Sequence, residues 1–290
     1  MGVQPMGSMV ARFQVSTGDP TVASIITSIT VSTAAESTSA ASSITGVMEM
    51  CTLEKRGSVF IVTLTGLNEH RLNPALLDSI QSALHRVRSE SSSSTALITT
   101  AHGKFFSNGY DLAWAKTADT NHRLKLMDSK LRSLIADLIS LPVPTIAAVT
   151  GHASAAGFIL ALSHDYVLMR KDRGFLYMSE LDIGLPIAAW FVAVIRSKIG
   201  SPTARREVLL RAAKLTAEKA EQLGVVEAVE GGAEETVAAA VVRLGEELVG
   251  MRWDGHAYGQ IRMAVFADLL SAVGCDEEND TLAVKLASRL

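Results

Sequence analysis

The sequence predicts an α/β protein with a layered core and a helical C-terminal region. Three observations point there. Between about residues 58 and 178, short runs rich in Val, Ile and Thr alternate with longer runs of helical period. Beyond about residue 186 the helical period dominates. Hydrophobic residues make up 48% of the 290 residues and charged residues 20%, enough apolar surface for a sizeable core. Strands that alternate with helices stack into α/β layers.

Residues 1–49 differ from the rest of the chain. "STGDPTVASIITSITVSTAAESTSAASSITG" is Ser/Thr/Ala-rich, and Arg12 is the only basic residue before position 50. The segment reads either as a Ser-rich leader or as an upstream extension with Met50 the working start. The expectation is a disordered extension over 1–49, a core domain over 50–232 and a helical region over 233–290.

The elements are predicted in chain order. "SVFIVTLT" (58–65) is a buried strand by its β-branched content. The stretch 73–88 is a helix with Leu76, Leu77, Ile80, Leu84 and Val87 on one face, capped by Asn73 and started by Pro74. "TALITT" (95–100) is a second strand. After a loop over 102–112, residues 123–141 form a helix with Leu124, Met127, Leu131, Leu134 and Leu138 in register, stopped by "LPVP". "TIAAVTG" (145–151) is a third strand and "SAAGFILALS" (154–163) a short buried helix. "DYVLMR" (165–170) and "GFLYM" (174–178) are further strands. Helices over 186–199, 203–212, 216–222, 234–249 and 255–273 complete the chain, with a short strand at 225–229.

Several function classes fall away. A net charge of −3 supplies no basic field for nucleic acid. Two cysteines, Cys51 and Cys275, make neither a disulfide framework nor a zinc site. No apolar run is long enough to read as a membrane span. There is no Gly-rich phosphate loop, no nucleophile elbow and no His pair with zinc-helix spacing. His85, His122 and His256 read as surface residues, whereas His102 and His152 stand beside candidate site loops.

Two stretches are poorly explained by packing alone. In "HGKFFSNGYDL" (102–112), Gly109 permits a turn that other residues resist, so the Tyr110 N–H can face a cleft. "GHASAAG" (151–157) also follows a strand and opens a helix, whose first N–H groups have no partner within it. Small residues there let a ligand reach the backbone. Two such N–H groups could converge on one developing oxyanion.

Taken together, these stretches resemble the crotonase (enoyl-CoA hydratase/isomerase) superfamily. "GKFFSNGYDL" is similar to its first oxyanion-hole motif and "VTGHASAAGFILALSHDYVLM" to its second. "FLYMSELDIGLP" (175–186) is similar to its third block, in which a glutamate precedes a glycine by four residues, here Glu180 and Gly184. The resemblance runs from about Cys51 to about residue 230, with the blocks in family order and spacing. It implies a crotonase-like spiral of ββα units and an acyl-CoA thioester substrate, with CoA as part of the substrate, no separate cofactor and no metal. The thioester oxygen would sit between the N–H groups of Tyr110 and Ala156, and losing one such donor typically costs about 2.7–4 kcal/mol. Alanine stands at 156 where relatives usually have glycine, and it still offers its N–H.

The acids select the reaction within the superfamily. Hydratases use two glutamates. One of those places is Ile159 here, and the other corresponds to Glu180. A single base instead suits the Δ3,Δ2-enoyl-CoA isomerases, whose third motif "SELDIGLPIAAWF" resembles. The alternatives are a hydratase of the same fold and a non-catalytic acyl-CoA-binding member. The resemblance places Phe106, Ser107, Gly109, Asp111, Leu112 and Gly157 in the substrate-binding stretches, with Trp190 and Phe191 as a wall near Glu180. Asp111 and Asp165 are expected to hold loops by hydrogen bonding, and Asp182 to lie outside the cleft. Lys104, then His102, are the candidates for the CoA phosphates. Ser288, Arg289 and Leu290 resemble a peroxisomal address, which implies an import receptor as a partner. The superfamily implies a homotrimer or hexamer assembled through late helices.

Overall fold

Two parallel ladders, stacked through a repeated ββα unit, organise the computed structural model, which describes residues 50–92, 94–229 and 234–274. The expectations for 1–49 and for the tripeptide 288–290 lie outside the described residues.

Cys51–Arg56 (β1) and Val59–Leu64 (β2) form an antiparallel hairpin across Gly57. Leu67–His70 (α1) and Pro74–Glu90 (α2) follow, and the Asn73 side chain accepts from the Leu76 N–H at 3.0 Å, as expected of a cap. Next come Ala96–Ala101 (β3), Phe105–Ser107 (β4), Leu112–Ala115 (α3) and Thr120–Ile139 (α4). Thr145–Val149 (β5), His152–Ser154 (β6) and Ala156–Leu162 (α5) form the next unit. Tyr166–Arg170 (β7), Leu176–Tyr177 (β8) and Ala189–Lys198 (α6) form another. Pro202–Arg205 (α7) runs into a π-helical turn over Arg206–Leu210, then Ala217–Gln222 (α8) and Glu227–Val229 (β9). Glu234–Gly250 (α9), Gly255–Val265 (α10) and Ala267–Gly274 (α11) close the described chain.

The larger sheet has the order β1-β2-β3-β5-β7-β9, parallel after the first hairpin, and the smaller has the order β4-β6-β8, all parallel. Each of β3, β5 and β7 is followed by one strand of the small sheet and then a helix. This is the expected spiral of ββα units.

Side-chain alternation along β2 explains why the larger sheet is covered twice. Phe60, Val62 and Leu64 join the main core with α2, α4, α5 and α6, while Val59 and Ile61 pack with Val237, Ala240, Val241 and Leu248 of α9. A parallel sheet buried on both faces reads as continuous apolar runs. The strands at 58–65, 95–100, 145–151 and 165–170 fall within a residue or two of their expected bounds.

Two expected helices are divided. The run 203–212 becomes α7 and the π-helical turn, and the run 255–273 breaks at Phe266. That residue turns its ring under the Lys198 Nζ, 4.0 Å from the ring centre.

Candidate active site

The carboxyl ends of β4, β6 and β8 lead into Asn108–Tyr110, Ala155–Ala156 and Ser179–Glu180. These strands are neighbours in one parallel sheet, so their exits lie side by side. A cavity of about 190 Å³ opens there. Gly109, Tyr110, Leu112, Ala155, Ala156, Glu180 and Phe191 are among the residues that line it. Residues far apart in sequence thus meet because the ββα unit repeats.

The first two exits abut. Gly109 adopts φ +73°, and a Cβ there would lie 3.1 Å from the Ser154 carbonyl oxygen and 3.6 Å from the Ala156 nitrogen. The glycine therefore serves both a left-handed turn and a close approach. The segment before α2 clasps the same loop. The Asn108 N–H donates to the Glu69 carbonyl at 3.1 Å, the Leu72 N–H to Gly109 at 2.8 Å, and the Asp111 N–H to Leu72 at 3.1 Å. Arg71, also on the cavity wall, pairs with Glu69 at 2.9 Å.

At the second exit Ala155 has φ +47° and ψ −122°, a conformation that alanine rarely adopts. The Ala155 N–H completes the ladder by donating to the Tyr177 carbonyl at 2.8 Å. Ala156 is then the first residue of α5, so its N–H has no acceptor within the helix.

At the third exit Glu180 begins a tight turn in which the Leu185 N–H returns to the Glu180 carbonyl at 2.8 Å. The residue is 8% exposed, and its Oε2 is buried without a hydrogen-bond partner. Desolvation by burial pushes its carboxyl up to about 7, partly offset by a hydrogen bond from its own backbone N–H. Among the described residues of the cavity wall, Glu180 is the one carboxylate. An unpaired, desolvated carboxyl in an apolar cleft is suited to proton transfer near neutral pH.

The structure brings together Gly109, Tyr110, Leu112, Ala156 and Glu180 and places the other expected contacts elsewhere. Phe106 and Ser107 are fully buried beneath the turn and do not reach the cavity. Gly157 faces backbone, and a Cβ there would meet the Ser107 carbonyl oxygen at 2.3 Å, so it serves the packing of α5 on β4. Asp111 caps α3, accepting from the Trp114 N–H at 2.9 Å, and accepts from Asn73 Nδ2 at 3.3 Å. Trp190, expected as a wall, is fully buried behind Phe191, which takes that role. Ile159 is likewise in the core. Asp182 is exposed, as expected, and accepts from the Tyr177 hydroxyl. Lys104 is exposed with its Nζ 5.5 Å from the centre of the Phe105 ring, and the His152 ring lies between Phe105 and Phe175.

Sequence reasoning missed Arg71, Asn108, Ile183 and Leu185 on the cavity wall. Asn108 lay within the first motif, and Ile183 and Leu185 within the third. Arg71 carries no local signal, because only the pairing of Leu72 with Tyr110 brings it to the site.

Comparison with known proteins shows the family. The family described as Enoyl-CoA hydratase/isomerase matches residues 54–267. The Arabidopsis thaliana protein named Enoyl-CoA delta isomerase 1, peroxisomal, is 59% identical over 244 residues, which cover 83% of this chain and 100% of that protein. Enoyl-CoA delta isomerase 2, peroxisomal, of the same plant is 51% identical over 231 residues, covering 78% of this chain and 96% of that protein. A crystal structure of a probable enoyl-CoA hydratase from Mycobacterium tuberculosis H37Rv superposes with a TM-score of 0.70 at 20% identity. It covers 82% of this chain and 95% of its own, a likeness of fold alone. The chain belongs to the enoyl-CoA hydratase/isomerase family.

Proposed function

We propose that the protein is a peroxisomal Δ3,Δ2-enoyl-CoA isomerase of fatty acid β-oxidation, working through one glutamate and a backbone oxyanion hole. The carrying observation is Glu180, the one carboxylate among the described residues of the cavity wall, desolvated and with an unpartnered oxygen. The peroxisomal names and the isomerase activity in the names of the two Arabidopsis relatives support the same reading.

In the proposed reaction the thioester oxygen accepts from the N–H groups of Tyr110 and Ala156. The Glu180 carboxylate removes a proton from C2 of a 3-enoyl thioester. The C–H electron pair moves into the C1–C2 bond, and charge spreads over the oxygen and C4 as a dienolate. The Glu180 carboxyl then returns the proton to C4, which leaves the double bond between C2 and C3. Proton and electrons balance within the substrate and Glu180, so the step calls for no cofactor beyond the substrate's own CoA. Leu112, Ile183, Leu185 and Phe191 give the acyl chain an apolar lining. Lys104, with Arg173 and Lys214 acting on the same His152, offers cations to the CoA phosphates.

The test is diode-array detection of 3-hexenoyl-CoA conversion to the conjugated 2-enoyl thioester, with crotonyl-CoA hydration measured alongside. Isomerisation should dominate and should collapse in Glu180→Gln. Hydration at a comparable rate, or a Glu180→Gln variant with wild-type turnover, would overturn the assignment.

A further inference from the structure

Asp128 is a partly buried acid on α4 that the proposed reaction does not use. The buried face of that helix is otherwise Leu124, Met127, Leu131, Leu134, Ile135, Leu138 and Ile139. Packing gives no reason for a carboxylate here, since a buried ion pair is often no better for stability than well-packed apolar residues. Its hydrogen bonds supply one. Asp128 Oδ1 accepts from the Tyr110 hydroxyl and from Trp190 Nε1, both at 3.0 Å. Asp128 Oδ2 accepts from Arg132 Nε at 2.7 Å, in an ion pair whose side chains are 11% and 14% exposed.

One donor to Oδ1, Tyr110, lines the cavity, and the other, Trp190, backs its wall. Tyr110 carries one oxyanion N–H on its backbone. Trp190 meets Phe191 edge-on with ring centres 4.4 Å apart, and Phe191 forms the cavity wall and lies 6.3 Å from the Tyr110 ring. One carboxylate therefore links the oxyanion turn after β4 to the wall on α6 through the rigid helix α4. Desolvation raises the carboxyl of Asp128, opposed first by Arg132 and then by the bonds from Trp190 and Tyr110.

We infer that Asp128 is a positioning residue, whose bonds to Tyr110 and Trp190 fix the direction of the Tyr110 N–H toward the developing oxyanion. This rests on the isomerase reading. Its effect falls on the transition state rather than on substrate binding, because the apolar lining stays in place without it. A small misplacement of a reacting group costs up to about 10²-fold.

The experiment is steady-state kinetics of the full chain on 3-hexenoyl-CoA for wild type, Tyr110→Phe, Asp128→Asn and the double variant, with melting temperatures. Tyr110→Phe keeps the backbone N–H and removes the hydroxyl that bonds to Asp128. Asn at 128 has a single acceptor oxygen, which the Arg132 cation, the stronger donor, draws to itself, so the Tyr110–Trp190 pair loses its acceptor. Tyr110→Phe should lower kcat about tenfold with KM within about twofold, and Asp128→Asn at least as much. The double variant should be no slower than Asp128→Asn, because the two changes break one link. Wild-type kcat in Tyr110→Phe, a loss confined to KM, or multiplicative losses in the double variant would each overturn the inference. If Asp128→Asn fails to fold, Tyr110→Phe decides alone. If wild type hydrates crotonyl-CoA instead, the isomerase reading falls, and the same kcat split is read on hydration, which needs the same oxyanion turn.

Discussion

Glu180 is a buried acid and Asp165 a partly buried one, and their surroundings are opposite. Glu180 stands at the exit of β8 with one oxygen bonded to nothing. Asp165 stands at the entry of β7, and its Oδ2 alone accepts from the Thr145 N–H at 2.9 Å, the Thr145 hydroxyl at 3.1 Å, the Tyr258 hydroxyl at 3.2 Å and Arg262 Nη1 at 2.5 Å. Burial alone does not decide what an acid does. A satisfied carboxylate holds elements together, here β5, β7 and α10. An unsatisfied one keeps its free energy of desolvation available for a proton. The entry of β7 and the exit of the next strand in the chain, β8, are thus divided between stability and the proposed chemistry.

The strongest way to break this contrast is to neutralise Glu180. Glu180→Gln keeps size and polarity but cannot accept the C2 proton, so turnover of 3-enoyl-CoA should fall by about 10³-fold or more. Circular dichroism should show an unchanged fold. If turnover falls less than tenfold, the unpaired oxygen is not the base.

The matching change at the other end should move stability and leave chemistry alone. Arg262 also donates to the carbonyls of Ile139, Leu141 and Val143, which staples α10 to the loop after α4. Arg262→Met removes the cation and leaves Asp165 charged and buried, which should cost about 3 kcal/mol or more in urea unfolding. The kcat of the folded enzyme should stay within about twofold of wild type. A comparable loss of kcat would mean that the two ends are coupled.

The contrast also marks what could be read from the sequence. The long strands and helices were legible because their apolar periods run for many residues. The turns at Gly109 and at Ala155–Ala156 were legible because their small residues stand in stretches that resemble two motifs of the family. β8 falls within the strand expected over 174–178, but β4 and β6 have three residues each, too short for a period to register, yet the three strands align the three exits. β1 escaped because it is a mostly exposed edge strand, with Cys51 its one fully buried residue. Trp190 and Phe191 were both expected at the cavity and Phe191 alone lines it, because adjacent helical side chains point about 100° apart and only tertiary packing chooses between them. Asp128 and Arg71 had no signal at all, since each acts through a partner far away in the chain.

A smaller effect comes from the proton on Glu180. Its folded value of about 7 lies above the ordinary 4.5, so the folded state holds this proton more tightly than the unfolded state. That contribution to stability is full below about pH 4.5 and is lost as pH rises through about 7. Glu180→Gln has no charge to bury. It should therefore be more stable than wild type at pH 8, by roughly 3 kcal/mol, with the gap closing toward pH 5. In the proposed reaction the carboxylate is the base, so kcat/KM of wild type should rise with pH and level off above about 7. Equal stability of the two proteins at pH 8 would place Glu180 in a wetter site than the geometry describes.

The smallest expected effect concerns Ala155. Its φ of +47° is unfavourable for an L-residue by roughly 1–2 kcal/mol, and it adjoins the Ala156 N–H. Ala155→Gly relieves that strain in the folded state but adds freedom to the unfolded chain, which costs about 0.4–1 kcal/mol. The balance is a gain of about 0.5 kcal/mol, visible as a small rise in melting temperature. Two outcomes for kcat carry different meanings. If it stays within twofold, the hydrogen bond from the Ala155 N–H to Tyr177 and the packing of Gly109 hold the hole by themselves. If it falls tenfold while stability rises, the alanine methyl is a strut that stiffens the turn, and the strain at the chemical end is kept for function, with no counterpart around Asp165.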